Sequence, residues 1–205
     1  MRAREETDID LKEPEKAQVR SRAAENVTKV LKAAMWVAVV LVLSVIINKF
    51  LFARTNVDGN SMYPTLHDKD VLLTEKITRT YSRFDIITFN SDINKEELLI
   101  KRIIGLPGET VRIDSDGNIY INGKLLATDK YGVAPIEDPG LAAGDGVTLG
   151  PDEYFVMGDN RNRSEDSRFA PVGNIKKSDI DGKVVVRLWP FETFGFVDTY
   201  RERTQ

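Results

Sequence analysis

The chain has 205 residues, 41 % of them hydrophobic, which suits one ordinary domain with an appendage. A formal net charge of −3 speaks against a general nucleic-acid binder, and no nucleic-acid partner is expected. With no cysteine and one histidine, His67, disulfides, thiol nucleophiles, thiolate zinc sites and multi-imidazole metal centres are excluded; no metal or cofactor enters the reading.

Residues 1–16 are charged and poor in apolar side chains, the composition of a disordered tail. From Ala33 to Ile47 the chain reads AAMWVAVVLVLSVII, without a charge, and after Asn48-Lys49 it resumes with FLFA. As a helix, the 21 residues of 33–53 span about 30 Å, the thickness of a bilayer's hydrocarbon core. The preceding 32 residues are too long and too mixed in charge for the basic start of a cleaved signal peptide, so an uncleaved anchor is expected. Arg20, Arg22, Lys29 and Lys32 precede the span, against Lys49 and Arg54 after it. That bias predicts a cytoplasmic tail 1–32, a transmembrane anchor 33–53 in the cell membrane, and an extracytoplasmic domain 54–205.

Directly after the anchor comes VDGNSMYPTL (57–66). Gly, Asn, Asp and Ser each suit tight bends, so taken alone this is ordinary turn chemistry. A Ser-His-acid triad would have only His67 to draw on, six residues from Ser61, which leaves lysines and carboxylates as the better carriers of acid-base chemistry.

The remainder alternates short apolar runs with turns. VLLTEKI (71–77), DIITF (85–89), ELLIKRIIGL (97–106), TVRI (110–113), NIYI (118–121), EYFVMG (153–158) and KVVVRLW (183–189) are rich in β-branched or aromatic residues and read as strands. Asp116-Gly117 and Asn122-Gly123 are hairpin-turn signals, so 110–127 reads as a small hairpin or meander. Segment 128–150, punctuated by Gly and Pro, reads as a long surface loop without evident chemistry. The expected fold is mostly β, a coiled antiparallel or barrel-like sheet behind one N-terminal transmembrane helix.

Two of these stretches carry charge in unusual places. In LLIKRIIGLPGE (98–109), Lys101 and Arg102 sit inside an apolar strand, and one of two successive residues must face inward if one face is buried. A lysine there loses solvation, its pKa falls, and it becomes a candidate general base; at a sheet edge it would merely snorkel. In GDNRNRSEDSR (158–168), the polar residues suggest a loop stiffened by its own side chains. There Asp166 and Arg168 are spaced to pair if extended, and Ser164 offers a hydroxyl able to orient a neutral amine.

NSMYPTL, KRIIGLPGE and GDNRNRSEDSR, in this order behind an anchor and followed by VRLWPF (186–191), resemble the boxes of bacterial type I signal peptidases, most closely the short single-span Gram-positive enzymes. That resemblance covers the anchor and nearly all of 54–190. It implies a membrane-bound serine endopeptidase that removes signal peptides from exported preproteins through an acyl-enzyme. It makes Ser61 the nucleophile and Lys101 its general base. Ser164 would hydrogen-bond the lysine, Asp166 and Arg168 would brace the site as an ion pair, and Asp159, Asn160 and Arg102 would be structural supports. Val57, Met62, Leu66 and Ile100 match positions near the pocket for a small P1 side chain. Partners implied are signal-peptide-bearing preproteins, the lipid bilayer and the neighbouring protein-export machinery.

Three departures from the family pattern stand out. Phe84 occupies the middle of an Arg-Gly-Asp pattern; if the usual glycine takes positive φ, a different local turn is implied. Asn162-Arg163 replaces a more usual Asp-Asn. Gly59 lies where some relatives carry a hydroxyl for the oxyanion, so backbone N–H groups, that of Ser61 first, must serve. The competing readings are a self-cleaving Ser/Lys repressor of the LexA type, a catalytically dead relative that binds exported chains, and a membrane-tethered binding module.

Overall fold

The computed structural model describes residues 13–91, 98–127, 129–132 and 134–197, and the chain divides into two units, Met1–Ile47 and Asn48–Gln205. In the first, helix α1 runs Glu13–Ile46. Most of the expected disordered tail lies outside the described residues, but 13–16 are helical, with Pro14 in the first turn where its missing N–H costs nothing. Within α1, Ala24–Val45 is long and apolar enough to cross a membrane, about 33 Å as a helix. Its large side chains, Val30, Met35, Trp36 and Leu41 among them, are exposed. Of the expected 33–53 span, only the part up to Ile46 is α-helical. A π turn, Ile47–Leu51, follows, and Phe52 and Ala53 pair with Glu75 and Thr74 in a sheet.

The second unit holds twelve strands among its described residues: β1 Phe52–Asn56, β2 Val71–Glu75, β3 Ile86–Phe89, β4 Leu99–Gly105, β5 Thr110–Ile113, β6 Ile119–Ile121, β7 Lys124–Leu125, β8 Val147–Thr148, β9 Glu153–Met157, β10 Ile175–Lys176, β11 Ile180–Trp189 and β12 Gly195–Phe196. A large antiparallel sheet runs β1-β2-β11-β3-β4-β9-β10, with β12 beside β11, and a smaller one runs β7-β6-β5-β8. The mostly β, coiled antiparallel expectation is what the chain adopts. Register breaks in β11 and in β4, between Ile103 and Gly105, add local twist and curl the large sheet into a half-barrel. Both hairpin signals in 110–127 are realised. Asp114 Oδ1 accepts the N–H groups of Asp116 and Asn118 in the first turn; Asn122 and Gly123 take φ of 52° and 78° in the second.

The core falls into three clusters. One, including Val57, Met62, Leu66, Leu72, Ile86 and Ile100, lies under the turn that carries Ser61. Another joins β3, β9 and β10 through Ile87, Phe89, Tyr154 and Ile175. The third packs the small sheet onto β4 and β9, and Tyr131, Ile136, Ala142 and Leu149 belong to it. Segment 128–150 is therefore no mere surface loop: Tyr131, Ile136, Ala142 and Leu149, too widely spaced to show a period, are anchors in the core.

Phe84 corrects a second expectation. Its φ is +70°, so a bulky residue keeps the left-handed backbone conformation, and no different turn is needed. That conformation costs roughly 1–2 kcal/mol. Full burial of the ring, packed against Tyr131 with centroids 5.4 Å apart, offsets it by about 1.5–3 kcal/mol. Phe84→Ala keeps the strain and loses the ring, and should lower stability by about 3 kcal/mol or more. Phe84→Gly loses the ring but relieves the strain, so in urea unfolding it should be the milder change by about 1 kcal/mol. If alanine proves the less damaging, the strain account is wrong.

Candidate active site

Strand β4 brings Lys101 and Arg102 into the interior together. The large sheet is covered on both sides there, so the alternation expected from a half-buried strand does not hold: Lys101 is 4 % exposed and Arg102 is fully buried. Their surroundings differ sharply. Arg102 is paired with Asp159 by two parallel bonds, Nε to Oδ1 at 2.8 Å and Nη2 to Oδ2 at 2.7 Å. Its Nη1 donates to the Phe84 carbonyl at 2.8 Å, and the guanidinium lies over the Tyr131 ring at 3.5 Å. Charge-assisted bonds and a cation–π contact keep this cation compensated in the dark interior of the fold.

Lys101 has no carboxylate at ion-pair distance among the described residues. Its Nζ lies 2.8 Å from Ser61 Oγ. Burial strips water from the ammonium and lowers its pKa from 10.5 to about 8, against a smaller opposing pull from the Asp166 and Glu165 charges. Near neutrality roughly a tenth of the lysine is then neutral. In that form the hydrogen bond reverses, and Ser61 Oγ donates to Nζ, the arrangement of a nucleophile with its base.

Ser61 stands on an irregular turn held from four directions. Asn160 N–H donates to the Ser61 carbonyl at 3.0 Å, and Asn160 Nδ2 to the Asn60 carbonyl at 3.1 Å. Thr65 Oγ1 donates to Asp159 Oδ2 at 2.5 Å, and Arg187 on β11 donates to the Thr65 carbonyl. On the near side, Gly59 N–H donates to Asp68 at 2.9 Å, holding that carboxyl below its usual range. Gly59 has φ of +83° with open space where a Cβ would point. Its N–H is already committed, whereas the Ser61 N–H has no partner among the described residues. His67 stands aside, exposed and edge-on to Tyr63, and does not reach Ser61.

The 158–168 segment wraps behind the pair. Asp166 and Arg168 form a buried ion pair at 2.8 Å, though on a turn and not the extended strand their spacing suggested. Asp166 also accepts the Gly158 N–H at 3.0 Å, and Arg168 donates to the carbonyls of Arg161 and Asp138. A side chain at Gly158 would collide with the Ser61 carbonyl and with Ser164. The Ser164 hydroxyl is buried but makes no hydrogen bond, to Lys101 or to any other group, among the described residues. Asn162 binds the Pro135 carbonyl and the Glu137 N–H, so this departure from the family pattern ties down segment 128–150.

A cleft of about 1230 Å³ opens over Ser61 and Lys101. Val57, Met62 and Ile100 line it; Leu66 does not, being fully buried behind them. Two stretches of backbone flank the cleft: Arg54–Val57, at the outer edge of the sheet, and Leu98–Lys101, which pairs with β3 but lies beyond the reach of β9. Sequence reasoning missed Trp189, Phe191 and Phe194, which line its far end. The signal was there, as four aromatic residues within 189–196. No group of three or more potential metal ligands occurs among the described residues.

The Signal peptidase, peptidase S26 family matches residues 29–189. The chain belongs to this family. It is 39 % identical over 180 residues to Signal peptidase I S of Bacillus subtilis (strain 168), covering 82 % of this chain and 95 % of that one. It is 41 % identical over 180 residues to a signal peptidase I of Bacillus amyloliquefaciens (79 % and 89 %). To a probable signal peptidase I-2 of Synechocystis the identity is 38 % over 187 residues (87 % and 81 %). The chain is thus an enzyme, a bacterial type I signal peptidase, and the repressor and binding-module readings fall away.

The lysine's burial has consequences for stability. With a folded-state pKa of about 8 against 10.5, the folded chain binds fewer protons than the unfolded chain between those values. Stability therefore rises with pH across that window, and below about pH 8 the buried ammonium costs about 3 kcal/mol. Lys101→Met should be more stable than the parent at pH 7 by up to this amount, with the gain fading towards pH 10.5. Denaturant titrations at both pH values check it, and a Met variant less stable at pH 7 would refute it.

Proposed function

We propose that this peptidase removes signal peptides from exported preproteins with Ser61 as nucleophile and Lys101 as general base, anchored in the cell membrane by its N-terminal helix. The observation that carries the reading is the 2.8 Å contact between Lys101 Nζ and Ser61 Oγ on the floor of a cleft flanked by two backbone edges. An extended peptide can add to such edges by main-chain hydrogen bonds, sending alternate side chains into the cleft. Val57, Met62 and Ile100, backed by Leu66, offer a shallow apolar surface for a small P1 side chain. Neutral Lys101 takes the Ser61 proton as Oγ bonds to the carbonyl carbon. The amide bond then breaks, the new amine takes a proton from the ammonium, and the mature protein leaves, with the signal peptide held as an ester. Water, deprotonated by the same lysine, hydrolyses that ester.

In this reading Asp159, Arg102 and Asn160 hold the serine turn, and Asp166 and Arg168 hold the loop behind the lysine. The Ser164 hydroxyl, buried and without a bond among the described residues, is the polar group left over to steady the neutral amine as it gains and loses its proton. Membrane attachment is supported by the apolar helix and by Trp189, Phe191, Phe194 and Phe196, exposed by 49 %, 72 %, 62 % and 89 %, a composition that suits the bilayer interface. An enzyme held there meets its membrane-bound substrates at high effective concentration, beside the export machinery that delivers them.

Ser61→Ala and Lys101→Met should each lower preprotein cleavage by at least about a thousandfold while the chain stays folded. In the parent enzyme kcat/KM should rise with pH through an apparent pKa of about 8, as the lysine loses its proton. Turnover by either variant, or a rate that rises only near pH 10, would contradict the assignment.

Topology follows from the Lys and Arg residues flanking the apolar helix: the tail 1–32 in the cytoplasm, the helix from residue 33 onward in the membrane and the sheet domain outside. Protease added to spheroplasts should digest the large domain. Its survival in intact spheroplasts, with digestion only after lysis, would reverse the orientation.

A further inference from the structure

We propose that the side-chain amide of Asn160 aims the peptide N–H that stabilises the oxyanion, which makes Asn160 a positioning residue for the reaction. The inference rests on the reading of Ser61 as nucleophile with its own N–H as oxyanion donor. Asn160 Nδ2 donates to the Asn60 carbonyl at 3.1 Å. That carbonyl and the Ser61 N–H belong to one planar trans peptide, so they point in opposite directions, and fixing the oxygen fixes the N–H. The N–H itself makes no hydrogen bond among the described residues, which leaves it available to a ligand in the cleft.

Other bonds do not substitute for this one. Tyr63 N–H also reaches the Asn60 carbonyl, at 3.2 Å, but it belongs to the same turn and moves with it. Asn160 comes from 100 residues away and is immobilised by its neighbour Asp159, fully buried against Arg102. Its own N–H holds the Ser61 carbonyl at 3.0 Å, so the peptides on both sides of the Ser61 Cα are tethered by one residue. As Ser61 Oγ bonds to the substrate carbonyl, the proton passes to Lys101 and the carbonyl π electrons move onto oxygen. A donor already aimed at that oxygen needs no reorganisation at the moment of reaction.

The test uses the full-length enzyme in detergent micelles with a preprotein substrate. Asn160→Ala removes the donor, and Asn160→Asp, of nearly the same size, sets an acceptor against the Asn60 carbonyl; either variant alone is sufficient. We expect kcat to fall about threefold to tenfold for alanine and further for aspartate, as loss of one hydrogen bond implies. KM should stay within about twofold, because Asn160 does not line the cleft. For alanine the apparent pKa of the pH profile should not move, because Asn160 does not touch Lys101; the aspartate carboxylate adds a negative charge near the lysine and should move its pKa up. Parent-like kcat in a folded variant, a loss confined to KM, a displaced pH profile in the alanine variant, or a deficit that vanishes once rates are normalised to folded protein would each overturn the proposal. Ser61→Ala, assayed alongside, separates the two levels: if it cleaves, the nucleophile reading fails. If it is dead while the Asn160 variants run at full rate, only the role of Asn160 fails.

Discussion

Burying two adjacent cations on one strand is the constraint around which this domain is arranged. Desolvating an ammonium or a guanidinium is expensive, and the fold meets that cost differently at each position. Arg102, which cannot lose its proton, has a carboxylate across two bonds, a carbonyl and an aromatic face. Lys101, which can, has a serine hydroxyl and only distant negative charge. The same burial that would be a defect at Arg102 without Asp159 is what leaves part of Lys101 as the neutral amine near neutral pH. With Lys101 as the proposed general base, activity and stability are opposed at this residue.

Arg102 also ties together the parts that must stay in register. Through Asp159 it fixes the loop whose next residue grips the serine turn; through the Phe84 carbonyl it fixes the entry to β3; through Tyr131 it meets segment 128–150. Ser61 lies on irregular backbone, so its position is determined by these contacts and not by a repeating ladder. A loop rich in Asn, Asp and Ser suits that task, because short polar side chains satisfy backbone groups that no strand partner reaches. Gly158 belongs to the same logic, since the loop approaches the Ser61 carbonyl too closely for any side chain.

The departures from the family pattern have structural compensations. Phe84 keeps a left-handed backbone by burying its ring on Tyr131, so the strain and its remedy come from segments far apart in the chain. Asn162 uses its amide to hold 135–137, the outer part of the same segment that supplies Tyr131. Segment 128–150 is thus held from two sides, by Phe84 at Tyr131 and by Asn162 at 135–137.

Local physics sufficed for much of this protein. The β-branched runs, the Asn122-Gly123 turn, the apolar helix and the three polar boxes are legible because each depends on neighbours within a few residues. The pairing of Ser61 with Lys101 came instead from the resemblance to signal peptidases, since neither residue points to the other by local pattern. Tertiary structure decided the rest. Both Lys101 and Arg102 are buried because other segments cover both faces of β4, which no alternation in 98–106 reveals. Leu66 is core and not cleft wall, and Ser164 is left without a bond, because their surroundings come from elsewhere in the chain. The bonds that make the site join residues 40, 57 and 100 positions apart, from Lys101 to Ser61, Arg102 to Asp159 and Asn160 to Asn60. A sequence read through local propensity can name such residues; which of them touch depends on how the sheet curls.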